Sequence, residues 1–194
     1  MNRPDAASRQ ARAEHLVERL AGKPLVLVGM MGAGKTTVGR RLAARLNRQF
    51  LDSDEEIEKA AQMTIPEIFE QRGEPEFRAG ETRVIARVLK DHGVVLATGG
   101  GAFVNPDTRA LMKAEALTVW LKAEADILFE RVSRRSNRPL LKTANPRATL
   151  EKLIEDRYPI YAEADVTVLS RDVPQDVVAG DIVDAVLAFL KRQD

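Results

Sequence analysis

The chain contains no cysteine, which excludes disulfides, thiolate metal sites and cysteine nucleophiles together. Histidine is nearly missing too, and the two that exist, His15 and His92, are too few to form a histidine-rich metal cluster. No apolar run approaches the roughly 18 residues that a membrane-spanning helix needs, and the N-terminus lacks the apolar core of a secretory signal. An excess of one charge is also lacking. Thirty Lys and Arg face 29 Asp and Glu, a formal net charge of +1, so there is no broad basic field to bind nucleic acid, and affinity for phosphate has to be local. These absences lead to the expectation of a cytoplasmic protein with neither nucleic acid nor membrane as partner.

What is present is an ordinary globular composition, 44% hydrophobic and 30% charged over 194 residues, enough for one domain with insertions. Residues 1–22 read as an N-terminal helical extension. The stretch 6–20 is rich in Ala, Arg and Glu, with Leu16, Val17 and Leu20 at helical spacing. Arg3, Arg9, Arg12 and Arg19 would fit a transit peptide, but Asp5, Glu14 and Glu18 argue against one, leaving a solvated tail or a packing helix. Because every motif begins at or after Gly29, this segment is expected to be dispensable for chemistry.

Residues 23–194 form the second unit. Short β-branched runs at 24–28, 49–51, 94–97, 117–121 and 166–169 alternate with segments of helical period such as 34–46. This is the pattern of an α/β fold with about five parallel strands. Helix starts are marked by Thr64 with Glu67 as a capping box and by Asn105 before Pro106. A helix expected over about 76–91 closes on His92 and Gly93, which makes His92 a capping residue rather than a catalyst.

The chemistry starts at residues 29–36, which satisfy G-x-x-x-x-G-K-[ST] directly after a buried strand and at the start of a helix. Gly32, Ala33 and Gly34 are small enough for backbone N–H groups to turn inward around phosphates at a helix N-terminus. Lys35 would reach the β- and γ-phosphates and Thr36 would ligate Mg²⁺. No N-K-x-D guanine motif is present, and the strand at 94–97 ends in Thr98-Gly99-Gly100-Gly101 rather than in the Asp of a Walker B motif. Asp52-Ser53-Asp54 therefore becomes the candidate carboxylate pair. Alternation along an extended segment would put both on one side, one toward Mg²⁺ and one toward a substrate hydroxyl; the bland alternative is a strand-end turn with Asp54 as a helix cap.

The P-loop, Asp52-Ser53-Asp54, Phe77-Arg78, Gly99-Gly100-Gly101, Arg131, Arg138-Pro139-Leu140-Leu141 and Arg157-Tyr158, in this order, resemble shikimate kinase over about residues 24–175. The resemblance implies a P-loop, nucleoside-monophosphate-kinase-like three-layer sandwich with a mobile lid at about 132–146 and a substrate-binding region at about 54–80. It implies transfer of phosphate from ATP, with Mg²⁺, to shikimate on the way to chorismate. Residue by residue, Arg78 and Arg157 would clamp the shikimate carboxylate. Asp54 and the loop of Gly99, Gly100 and Gly101 would hold ring hydroxyls, and Asp52 would support Mg²⁺ through water. Arg138 would meet the transferring phosphate, Arg131 would lie against adenine, and Thr37 and Pro174 would complete the nucleotide contacts. A monomer is expected.

The residue types fit that chemistry. A polyhydroxy acid needs a planar fork for its carboxylate, an acceptor for its hydroxyls and close backbone approach, supplied by Arg, Asp and Gly. Relatives often carry Lys-Ser-Thr where this chain has Lys35-Thr36-Thr37, which keeps the hydroxyl, and many have paired glycines in the lid where residues 133–137 have none. Bland readings stand beside these. Arg78 and Arg157 could be helix-surface residues paired with Glu74 or Glu163. Arg134 and Arg135 read as a solvated basic helix end. Tyr158, Tyr161 and Trp120 read as core, while Phe77 could wall the substrate ring. Two other functions compete: a gluconate-type kinase of similar fold, and a non-catalytic nucleotide-responsive regulator, which would be expected to have lost Lys35, Asp54 or a clamp arginine.

Overall fold

The structure is a computed structural model that describes residues 6–134, 143 and 145–194. Its elements are α1 (Ala6–Leu20), β1 (Leu25–Val28), α2 (Lys35–Arg45), β2 (Phe50–Asp52), α3 (Ser53–Ala61), α4 (Ile65–Val88) and β3 (Val95–Ala97), followed by α5 (Pro106–Glu115), β4 (Leu117–Lys122), α6 (Ala125–Ser133), α7 (Pro146–Tyr161), β5 (Val166–Leu169) and α8 (Gln175–Lys191). The expected strands appear within a residue or two of where the apolar runs placed them.

All five strands are parallel, in the order β2-β3-β1-β4-β5. The central strand β1 is fully buried, as a parallel sheet covered on both faces requires. From β1 the chain crosses to β2 on one side, whereas from β3 it crosses back past β1 to β4. Right-handed crossovers in opposite directions put their helices on opposite faces. Accordingly, α2 packs on β3 and against α8, which lies on β5, whereas α5 packs on β4 and α4. The crevice beyond the carboxyl ends of β1 and β3 is thus a topological switch point, where open α/β sheets bind ligands. The P-loop follows β1 and the glycine triplet follows β3.

Two local readings are corrected. The helix expected at about 76–91 is the second half of α4, which is interrupted at Gly73 (φ 77°, ψ 171°) just before Pro75 and ends at Val88. Proline cannot donate to the preceding turn, and glycine takes the left-handed φ that redirects the chain. His92 is therefore not the helix cap: Leu89 occupies that position, and Gly93 (φ 78°) donates its N–H to the Gly22 carbonyl at 2.8 Å. Thr64 with Glu67 does form the capping box, and the Asn105 side chain accepts from two N–H groups at the start of α5.

Helix α1 is a packing helix. Ala13, Leu16 and Leu20 are buried in the core cluster, Arg12 meets Asp184 of α8 at 2.7 Å, and Arg19 reaches the Leu190 carbonyl at 3.0 Å. Truncating one fully buried Leu typically costs about 2–5 kcal/mol. Deleting residues 1–22 is therefore expected to lower the melting temperature markedly while leaving turnover of the folded fraction near that of the full chain. Melting curves beside kinetics well below the transition check this, and a loss of turnover without loss of fold would place α1 in the chemistry.

Candidate active site

The P-loop glycines are dictated by geometry. Gly34 ends the loop with φ 91° immediately before α2 begins at Lys35, a backbone conformation that side chains other than glycine resist. Its position aims the first N–H groups of α2 at a cavity of about 430 Å³ whose lining includes Gly32, Gly34, Lys35, Thr36, Thr37, Asp52 and Asp54. Lys35 is buried, and its Nζ donates to the carbonyls of Gly29 at 2.7 Å and Met30 at 2.9 Å. Ala33 is fully buried behind the loop, its carbonyl accepting from the Ser170 hydroxyl at 2.7 Å.

Asp52 and Asp54 reach the same cavity, but not by strand alternation. Strand β2 stops at Asp52 and α3 begins at Ser53. The helix cap is Asp52, whose Oδ1 accepts the Asp54 N–H at 3.1 Å, which leaves Asp54 in the first helical turn. The other Asp52 oxygen accepts from the Thr36 hydroxyl at 2.8 Å. Thr36 and Asp52 thus present two hard oxygen donors beside the P-loop. Among the described residues no group of three or more His, Cys, Asp or Glu could hold a metal ion. One carboxylate and one hydroxyl suit Mg²⁺, which keeps waters and takes its remaining ligands from phosphate oxygens.

Arg131 runs along the far wall, donating to Ser170 Oγ at 3.0 Å, to the Arg171 carbonyl at 2.8 Å and to Gly32 O at 3.4 Å. Pro174 caps α8 and borders a separate depression with Arg45 and Asp176; the neighbouring Gln175 lines the main cavity instead. Arg134, read from sequence as a solvated charge, does pair with Glu130 at 2.5 Å, yet it also lines this cavity. Arg138 lies outside the described residues.

A second cavity of about 480 Å³ adjoins the first across the glycine triplet and is lined by Glu74, Arg78, Gly101, Asn105 and Arg157 among others. The two arginines singled out by sequence, 79 residues apart in chain position, therefore converge. Glycine is required here by contact rather than by torsion. A Cβ at Gly99 would lie 2.8 Å from Asp54 Oδ1, and one at Gly101 would lie 2.6 Å from Arg78 Nη2.

Arg78 is held by Glu74 at 3.3 Å and by Glu81 at 2.7 Å. Glu81 is only 1% exposed; burial pushes its carboxyl above the ordinary range, against the opposing pull of Arg78. Sequence reasoning missed Glu81, although its spacing three residues after Arg78 on a helix was the available signal. The pairing with Glu74 expected under the bland reading is thus real, but it coexists with a place in the cavity. The pairing of Arg157 with Glu163 does not form, and Glu163 faces Arg109 and Lys113 at 3.3 and 3.7 Å.

Phe77 does not wall the second cavity. It lies in a groove between α3 and α4, stacks on Phe69 at 4.5 Å and sits under the Arg78 guanidinium at 5.0 Å. The other aromatics do pack as core: Trp120 meets Tyr158 and Tyr161 at 5.0 and 6.0 Å. Tyr161 is fully buried, with its phenol pushed up to about 12 by desolvation.

Against known proteins, the family model described as shikimate kinase matches residues 31–187. The shikimate kinase of Rhodopseudomonas palustris is 55% identical over 185 residues, 95% of this chain and 91% of that protein. The structure of shikimate kinase from Acinetobacter baumannii in complex with shikimate superposes with a TM-score of 0.83 at 40% identity, covering 89% of this chain and 97% of that one. A gluconokinase from Sinorhizobium meliloti covers 89% of this chain and 95% of its own with a TM-score of 0.60 at 16% identity, which shows a shared fold alone.

Proposed function

The chain belongs to the shikimate kinase family, and on that premise we propose the roles of its residues. It is an ATP-dependent kinase that moves the γ-phosphate of ATP to the 3-hydroxyl of shikimate, giving 3-phosphoshikimate and ADP in chorismate biosynthesis. The observation that carries the assignment of residues is the meeting of Asp54, Arg78 and Arg157 on one glycine triplet beside the P-loop.

In this reading ATP occupies the first cavity, its phosphates cradled by the N–H groups from Gly32 to Thr37 at the start of α2, with Arg131 beside the base. Lys35 exchanges P-loop carbonyls for the β- and γ-phosphates. When bound, Mg²⁺ at Thr36 and Asp52 supplies charge neutralisation on the phosphates. Arg78 and Arg157 grip the acid's carboxylate in the second cavity. Asp54, against Gly99, accepts the hydrogen bond of the reacting hydroxyl. The hydroxyl oxygen forms the new bond to phosphorus as its proton passes to the Asp54 carboxylate and on to solvent, while the bond between the γ-phosphorus and the β-phosphate oxygen breaks and ADP departs. Because such transfer needs mainly positioning and charge stabilisation, these parts suffice. Arg138 keeps the role that the resemblance gives it, meeting the transferring phosphate from a lid at about 132–146, and residues 54–80 make the substrate-binding region of the domain at 23–194.

The reading extends to a monomer acting on two small molecules and on neither nucleic acid nor membrane. The net charge of +1 supports the lack of a nucleic-acid partner, and no described helix is long and apolar enough to cross a membrane. A cytoplasmic setting belongs to the same proposal, since the reaction consumes ATP.

Gly101→Ala tests the assignment. The added Cβ presses on the Arg78 guanidinium, which must shift from Glu81 to make room, so the melting temperature is expected to fall and, in the folded protein, KM for shikimate to rise about tenfold or more, as for loss of a charge-assisted bond. KM for ATP stays constant and gluconate stays unreactive. An unchanged shikimate KM would remove Arg78 from the substrate site, and turnover of gluconate would favour the competing kinase.

A further inference from the structure

Tyr161 is fully buried, so it cannot touch either substrate, yet its hydroxyl donates to the carbonyl of Gly100, in the middle of the glycine triplet. It also interacts with Arg157, one turn earlier on α7. The Arg157 guanidinium lies along the same glycine: a Cβ at Gly100 would be 3.7 Å from Arg157 Nη1, and equally 3.6 Å from Met31 N and 3.7 Å from Gly29 O of the P-loop. One side chain therefore ties the helix that carries a clamp arginine to the loop that separates the two cavities.

The peptide plane gives that bond a directional consequence. The carbonyl of Gly100 and the N–H of Gly101 belong to one planar trans unit and point in opposite directions. Glycine on both sides leaves the unit free to rotate unless something fixes it. Holding the carbonyl toward Tyr161 turns the Gly101 N–H to the opposite side, and Gly101 itself lines the cavity it shares with Arg78 and Arg157. Desolvation keeps the phenol protonated up to about 12, so the donor persists across any pH at which the enzyme is assayed.

We propose that Tyr161 is a positioning residue for the shikimate site, setting the orientation of the Gly100–Gly101 peptide and of Arg157 without contacting substrate. This rests on the assignment of Arg157 to the acid's carboxylate made above. Tyr158 is an internal control: it is on the same helix, packs on the same Trp120, and makes the same kind of bond to a different carbonyl, that of Ala123. Both can be changed to Phe with the ring retained.

Tyr161→Phe is expected to raise KM for shikimate about 3- to 10-fold, the range for one net hydrogen bond, with KM for ATP unchanged. Tyr158→Phe is expected to move neither constant, although both variants lower the melting temperature. An unchanged shikimate KM in Tyr161→Phe overturns the proposal, as does an equal rise in both KM values or the same rise in Tyr158→Phe, since each marks a merely structural bond. Arg157→Ala measured alongside separates the layers. If it raises the shikimate KM while Tyr161→Phe does not, only the positioning role fails; if it too has no effect, the assignment of the cavity fails with it.

Discussion

Lys35→Met is expected to lower kcat by about 10²- to 10³-fold, the usual effect of removing one electrostatic contact to a transition state. The chain is expected to stay folded, because Met fills the volume of the lysine stem and the ammonium's bonds to the Gly29 and Met30 carbonyls lie within a loop anchored at both ends by β1 and α2. The alternative is a structural lysine that only pins the P-loop. In that case the variant melts lower but turns over within about threefold of the parent, a difference well below the transition-state effect. Single-turnover kinetics with melting curves distinguishes the two, and the latter result would remove Lys35 from the phosphate site.

Replacing Arg78 or Arg157 by Ala is expected to raise KM for shikimate by about 10- to 150-fold, the equivalent of roughly 1.5–3 kcal/mol for a charge-assisted bond. KM for ATP is expected to stay nearly constant, because the P-loop cavity is built from other elements. Lysine should rescue only partly, since a point charge cannot reproduce the bidentate fork. The two variants should differ in stability. Arg78→Ala leaves Glu81, only 1% exposed, without its partner at 2.7 Å, and breaking a buried pair from one side commonly costs about 3–5 kcal/mol. Arg157 has no carboxylate partner among the described ion pairs, so its removal should cost little stability for a comparable loss of affinity. Unchanged shikimate KM in both variants would return the chain's specificity to an open question within P-loop kinases.

The parts of the site that sequence made legible were those whose chemistry depends on local spacing. The P-loop is eight consecutive residues, so its strand, turn and helix could be read together, and the five apolar runs needed only their β-branched content to be recognised. The convergence of Arg78 and Arg157 came from resemblance, because nothing local links two helices so distant in the chain. Where the structure departs from the reading, long-range packing decides. Asp52 rather than Asp54 caps α3 because the extended backbone stops at Asp52, two residues short of the span that alternation assumed. Phe77 turns away from the substrate side because successive residues of a helix point about 100° apart, so the turn of α4 that aims Arg78 at the cavity sends Phe77 toward α3. Glu81 carries no mark of its role in the local sequence, and only its burial beside Arg78 makes it part of the site. Leu16 and Leu20 signalled a helix, but its docking partner α8 is the last element of the chain, beyond the reach of any window along the sequence.

Trp120 is the only tryptophan in the chain, and the fold puts it in an unusual optical position. Its indole lies against Tyr158 and Tyr161, with the Lys122 ammonium 5.3 Å from its ring. A Cβ at Gly29, where the P-loop begins, would come within 3.2 Å of its Cδ1. Emission from this one indole therefore originates at the seam between the P-loop and the helix bearing Arg157, with no second fluorophore of its kind to dilute it. A change in this emission on adding substrate is expected even in variants such as Lys35→Met that turn over too slowly for steady-state kinetics, which would let binding and chemistry be titrated separately in the same cuvette.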